Sequence, residues 1–92
     1  MNFLDLKEQL ENKLKDHFTF QLLDLQYSPY AFGSGMLAYR IKRKIIKVIY
    51  DGRDNEVQLV ISKPHDKYPN ALWTIIFAGL PNDLIDIVAI KL

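Results

Sequence analysis

At Phe18 the spacing of apolar residues changes. Before it they recur about every 3.6 positions, and after it every second position as far as Ile61. One helical segment followed by a long run of period-two segments confines the chain to a helix packed on an antiparallel sheet. Ahead of the change, Phe3, Leu6, Leu10 and Leu14 mark one face of an amphipathic helix over residues 2–16, with Leu4 beside them. Asn2 is placed to cap its N-terminus, and Asp5 lies three residues later, near the positive end of the helix dipole. Lys7 and Glu11, then Glu11 and Lys15, stand four apart on the polar face.

After the change, Phe18, Phe20 and Leu22 alternate with Thr19 and Gln21. Leu23, Leu25 and Tyr27 then alternate with Asp24 and Gln26 in the opposite phase. A bulge at Leu22-Leu23 lets both halves of this first strand face one core; the alternative is a strand partly covered on both faces. Ser28 to Gly35, with Pro29 and two glycines, is a loop of unusual aromatic content. Residues 36–42 form a second strand with Leu37, Tyr39 and Ile41 on one side, and Lys42-Arg43-Lys44 turns the chain. Residues 45–50 form a third, with either Ile46, Val48 and Tyr50 or Ile45 and Ile49 inward. Asp51 to Asn55 carries strong turn chemistry, and Val57, Leu59 and Ile61 alternate in a fourth strand. Strands two to four make an antiparallel meander with strand one on its edge.

Ser62 to Asn70 reads as a loop. Ala71 to Ala78 carries signals of both kinds. Asn70 as a cap and Gly79 as a stop favour a short helix, while β-branched Thr74, Ile75 and Ile76 favour a strand; the expectation taken here is helix. Pro81-Asn82-Asp83 opens a second helix, apolar on nearly every side, which is buried or joins another chain. The expected fold is a single α+β domain over 1–92. An N-terminal helix packs on an antiparallel sheet of about four strands, with one or two short C-terminal helices.

A chain of 92 residues hides only about 60–65% of its unfolded surface, so its core is thin. Five Phe, five Tyr and one Trp help to fill it. Small secreted domains compensate for such cores with disulfides, yet this chain has no cysteine. Its first residues have neither a basic nor an apolar leader region, and no apolar run is long enough to cross a bilayer. The expected compartment is the cytoplasm, with no membrane partner.

Polar residues that invite chemistry have simpler accounts. His17 ends the first helix and His65 lies in a loop, and neither has a ligand partner at metal-binding spacing. Asp51, Asp54 and Glu56 lack the calcium-loop pattern and suit a hairpin turn. In Gly33-Ser34-Gly35 the glycines adjoin the serine and a strand follows, unlike a nucleophile elbow or a phosphate loop. The expectation is therefore a non-enzyme without metal or cofactor.

Two features point to binding. Arg40, Lys42, Arg43, Lys44 and Lys47 crowd one hairpin, although the formal net charge is only +1. They suit either phosphate neutralisation or a solvated hairpin guarding a sheet edge. Tyr27, Tyr30, Phe32, Tyr68 and Trp73 suit interface anchors or core closers equally. The segment Tyr27-Ser28-Pro29-Tyr30-Ala31-Phe32-Gly33-Ser34-Gly35, followed by Tyr50-Asp51-Gly52-Arg53-Asp54, resembles small bacterial immunity proteins of polymorphic or contact-dependent toxin systems. The likeness covers about the middle half of the chain. It implies a cytoplasmic antitoxin that binds one toxin domain and blocks its active site, and it assigns no binding residues. Immunity proteins against nucleases often present an acidic face, whereas this chain is slightly basic.

The expected function is thus a protein-binding module, with a toxin domain as partner. Tyr30, Phe32, Tyr68 and Trp73 would be its anchors, and Arg40, Lys42, Arg43 and Lys44 its complementary charge. The alternative is a nucleic-acid-binding or regulatory domain using the hairpin 40–47. A second copy of the chain is a further candidate partner for the apolar C-terminal segment.

Overall fold

The change of period at Phe18 is the joint between the first helix and the sheet. The computed structural model describes residues 1–62 and 72–92. Helix α1 (Phe3–His17) leads into strands β1 (Phe20–Ser28), β2 (Ser34–Ile41), β3 (Lys44–Asp51) and β4 (Glu56–Ser62). Strand β5 (Trp73–Gly79) and helix α2 (Pro81–Lys91) complete the chain. The strands form one antiparallel sheet in the order β1-β2-β3-β4-β5, so β1 and β5 are its edges among the described residues. The architecture is α+β, with five strands where the sequence suggested about four.

Local chemistry explains most boundaries. The Asn2 side chain accepts from the Asp5 N–H at 2.8 Å while the Asp5 carboxylate accepts from the Asn2 N–H at 3.4 Å, a reciprocal cap. Phe18 ends α1 in extended conformation and donates its N–H to the Leu14 carbonyl at 2.7 Å. The phase inversion in β1 is a bulge: Leu22 pairs with Tyr39 and Asp24 with Ala38, leaving Leu23 as the extra residue. Phe20 and Leu22 before it, and Leu25 and Tyr27 after it, thereby lie opposite residues of the same sheet face.

Both helices pack on that face, α1 over β1 and β2, α2 over β4 and β5, with each touching the other. Phe3, Leu6, Leu10 and Leu14 meet Leu84 and Val88 above a floor of Leu37, Tyr39, Ile46, Val48, Val57 and Leu59. In β3 the inward set is therefore Ile46, Val48 and Tyr50. Ile45 is buried on the opposite face and Ile49 is partly open there. Among the described residues no helix packs on that opposite face.

The helix expected over 71–78 is corrected: Trp73–Gly79 is strand β5. The β-branched run Thr74-Ile75-Ile76 prevails because the outer edge of β4 offers a full row of backbone partners, from Val57↔Gly79 to Ser62↔Trp73. Gly79 ends that strand instead of stopping a helix, and among the described residues there is one C-terminal helix, with Pro81 in its first turn. Ser62 belongs to β4, not to a loop; its buried Oγ accepts from the Ile45 N–H at 3.1 Å. Asn70 as a cap, His65 and Tyr68 lie outside the described residues.

Candidate partner-binding site

The antiparallel order sorts the connections between two ends of the sheet. The β1–β2 loop (29–33) and the β3–β4 turn (52–55) stand at one end, with the β2–β3 turn at Lys42-Arg43 at the other. α1 starts at the loop end: Phe3 stacks on Tyr27 with ring centroids 5.5 Å apart, and the Tyr50 hydroxyl donates to the Met1 carbonyl at 2.9 Å. α2 starts there too, directly after Gly79, the partner of Val57.

At the loop end the two connections lock together. The Ser34 hydroxyl oxygen accepts from the Gly52 N–H at 2.9 Å. A Cβ on Gly52 would sit 1.9 Å from the Phe32 carbonyl oxygen, so only glycine permits this approach. Phe32 itself has φ 59°, left-handed backbone that is costly for an aromatic residue, on the order of 1–3 kcal/mol. The strained residue holds its ring outward, 68% exposed, with the Arg53 guanidinium 5.6 Å from the ring centroid. Tyr30 beside it is fully exposed. Asp51 folds its carboxylate back onto the Arg53 N–H at 2.9 Å, the turn role expected for it.

Charge is segregated by the same topology. Exposed Asp51, Asp54 and Glu56 stand at the end of the sheet that holds the aromatic loop, with Arg53 the exposed cation among them, and Asp5 and Glu8 of α1 and Asp83 in the first turn of α2 belong to the same end. Asp51 and Glu56 border a depression of about 220 Å³ with Ile49, Val57 and Gln58. The opposite end gathers Arg40, Lys42, Arg43 and Lys44, with Lys15 from the last turn of α1, where Asp16 is the one acid, and Lys91 from α2. Acids at both helix N-termini and bases at both C-termini also complement the helix dipoles. A net charge of +1 therefore conceals two oppositely charged ends.

The residues expected to act together fall into separate groups. Tyr30 and Phe32 share the acidic end. Lys42, itself at φ 56°, lays its ammonium 5.1 Å over the Phe18 ring, and Arg43 is at the tip of the far turn. Arg40 and Lys42 line a depression of about 310 Å³ with Thr19, Phe20 and Gln21. Trp73 lies on the sheet face opposite α1 and α2, at the basic end, with the Lys47 ammonium 4.8 Å from its ring centroid. Sequence reasoning missed the Arg53–Phe32 and Lys47–Trp73 contacts because each joins segments far apart in the chain. Strand parity alone would have put Arg40 and Lys47 on one face.

One buried polar contact is structural. The Tyr39 hydroxyl, beneath α1, donates to Glu11 Oε2 at 2.8 Å, and Lys7 pairs with the same carboxylate at 3.0 Å. Burial, and secondarily the Glu11 hydrogen bond and charge, hold the Tyr39 phenol far above the usual 10.0. The neutral phenol is favoured in the fold, so this stabilisation is complete below the unfolded value and lost as pH rises above it. Tyr39→Phe should cost about 1–3 kcal/mol at pH 7 in urea unfolding. Above pH 10 the wild-type midpoint should fall more steeply than the variant's; parallel alkaline slopes would contradict the assignment.

Among the described residues no group of three His, Cys, Asp or Glu side chains is placed to hold a metal ion, and no helix is long and apolar enough to cross a membrane. Comparison with protein-family models, curated proteins and solved structures gave no match.

Proposed function

We propose that this chain is a non-catalytic protein-binding module of the cytoplasmic immunity type, which occludes a basic site on a toxin domain with its acidic, aromatic end. The observation that carries this reading is Phe32. An aromatic ring held outward on left-handed backbone, locked by Gly52 and adjoining a fully exposed tyrosine, is a rigid anchor, and local strain concentrates at functional positions. The acids around it supply complementarity to a cationic cleft and speed encounter. Asp51 and Glu56 beside their depression suit an arginine or lysine of the partner. The two segments that carry the likeness to immunity proteins are also the two that meet here.

The test is a titration of the purified protein against the toxin domain encoded beside its gene. Tyr30→Ala with Phe32→Ala should weaken binding at least about 30-fold, since anchors of this kind contribute about 2 kcal/mol or more. Arg43→Ala with Lys44→Ala, at the far end, should leave affinity unchanged. Loss of binding only in the second pair would invert the assignment of the ends.

The clustering of Arg40, Lys42, Arg43 and Lys44 at the far end favours a second reading, a domain that binds nucleic acid through that end. Retention of DNA or RNA that falls steeply with salt, and disappears in a Lys42/Arg43/Lys44 alanine variant, is its signature. A flat binding curve eliminates it.

A further inference from the structure

The depression of about 310 Å³ at the basic end is built by the β1–β2 register. Gln21 pairs with Arg40, and Thr19 and Lys42 lie two places beyond them, so period-two alternation brings four polar side chains together beside Phe20. The Arg40 guanidinium and the Lys42 ammonium only donate hydrogen bonds, and the Thr19 hydroxyl and Gln21 amide are able to donate as well. All four residues are exposed. Thr19, Gln21 and Arg40 make no side-chain hydrogen bond or ion pair among the described residues, so their donors are available. No carboxylate is among the described lining residues. The acids nearest along the chain are Asp16, in the last turn of α1, and half-buried Asp24, opposite Ala38 on the far side of Arg40 from Lys42. Lys42 is also the first of the two turn residues between Ile41 and Lys44, and its φ of 56° is backbone that usually falls to glycine. A strained residue at a cleft is a mark of function, and the Phe18 ring, its centroid 5.1 Å from the ammonium, seats the charge.

We infer that this depression binds a phosphate monoester group. The two cations match the nearly two negative charges of such a group at neutral pH. The planar fork of Arg40 suits two of its oxygens, which leaves Lys42, Thr19 and Gln21 for the third. A carboxylate, with one charge and two oxygens, would leave donors unused. The depression is open, so the remainder of the molecule extends into solvent, and Arg43 and Lys44 in the adjoining turn add to the positive field that draws it in. The inference is independent of the toxin-binding reading, whose residues stand at the other end of the sheet. It differs from the nucleic-acid reading in requiring a terminal phosphate instead of a run of diesters.

The test is titration of the full chain with inorganic phosphate at constant ionic strength, followed by backbone amide chemical shifts. Shifts over 18–21 and 39–43 should saturate in the millimolar range or below. Lys42→Gly should keep or raise the melting temperature, because glycine suits the backbone there, yet weaken phosphate binding at least about tenfold. Arg40→Gln should weaken it as much. Lys15→Gln removes one charge from the same end but outside the depression, and should change affinity less than about twofold. Two further ligands separate the sources of the group. A sugar phosphate bound more tightly than inorganic phosphate identifies a free phosphorylated metabolite. A 5′-phosphorylated oligonucleotide bound there, when its phosphate-free form is not, identifies a nucleic-acid end. Shifts that stay linear in phosphate, or equal losses in Lys15→Gln and Arg40→Gln, overturn the inference, as does failure of both esters to bind at these residues. If Lys42→Gly fails to fold, Arg40→Gln, at an exposed strand position, decides.

Discussion

Leu10→Ala should lower the unfolding free energy by about 3 kcal/mol, within the 2–5 kcal/mol range for buried leucines. Leu10 is fully buried at the middle of α1, between Leu6 and Leu14, and these residues with Phe3 are the whole buried face of that helix. Its loss leaves a void that the sheet beneath cannot fill, because β2 and β3 are held by partners on both sides. A chain of this size has a total stability on the order of 5–14 kcal/mol, so a large share disappears at once. The melting temperature should drop by roughly 12–24 °C, at about 4–8 °C per kcal/mol. Leu4→Ala, on the exposed side of the same helix, should change stability by no more than about 0.5 kcal/mol. Equal effects of the two substitutions would show that α1 is not seated as described.

Gly52→Ala should destabilise by about 2–4 kcal/mol, although it adds one methyl group to a partly exposed turn. The atom it meets is the Phe32 carbonyl oxygen at 1.9 Å, which belongs to the backbone and cannot swing aside. Either the turn or the aromatic loop must move. That strain costs about 1–3 kcal/mol, and the Gly52 N–H to Ser34 Oγ hydrogen bond, worth about 1 kcal/mol more, is lost with it. Ser34→Ala removes only the hydrogen bond and should cost less. Chemical-shift changes for Gly52→Ala should be concentrated in 28–35 and 50–56. If the proposed function holds, affinity for the toxin domain should fall as well, because Phe32 would be displaced from its proposed anchoring position. Wild-type stability in this variant would mean that the loop and the turn do not interlock.

Much of the fold was legible in the sequence because it depends on local periodicity. The spacing of Phe3, Leu6, Leu10 and Leu14 defined α1 and its buried face, and Asn2 its start. The inversion at Leu22-Leu23 allowed a β1 bulge or a strand covered on both faces, and the bulge is the outcome; Asp51 to Asn55 marked the turn between β3 and β4. Residues 71–78 were misread because Gly79 satisfies the grammar of a helix stop and of a strand end alike. Only the open edge of β4 separates the two, and a neighbour distant in the chain leaves no local signal. The aromatic and basic residues were legible as types, but not as groups: Tyr30 and Arg43 are drawn together by composition and held at opposite ends by topology.

The sequence by itself determined α1 with its cap and buried face, the period-two alternation of β1 to β4, and the stock of aromatics and charges. These follow from backbone geometry and side-chain spacing within a few residues. The tertiary structure decided which charges share an end, that Phe32 is held strained against Gly52, that β5 completes the sheet, and that Tyr39 meets Glu11. Each of these joins residues separated by many positions, and such contacts exist only once the chain entropy of closing the intervening loops has been overcome by the packing of the whole.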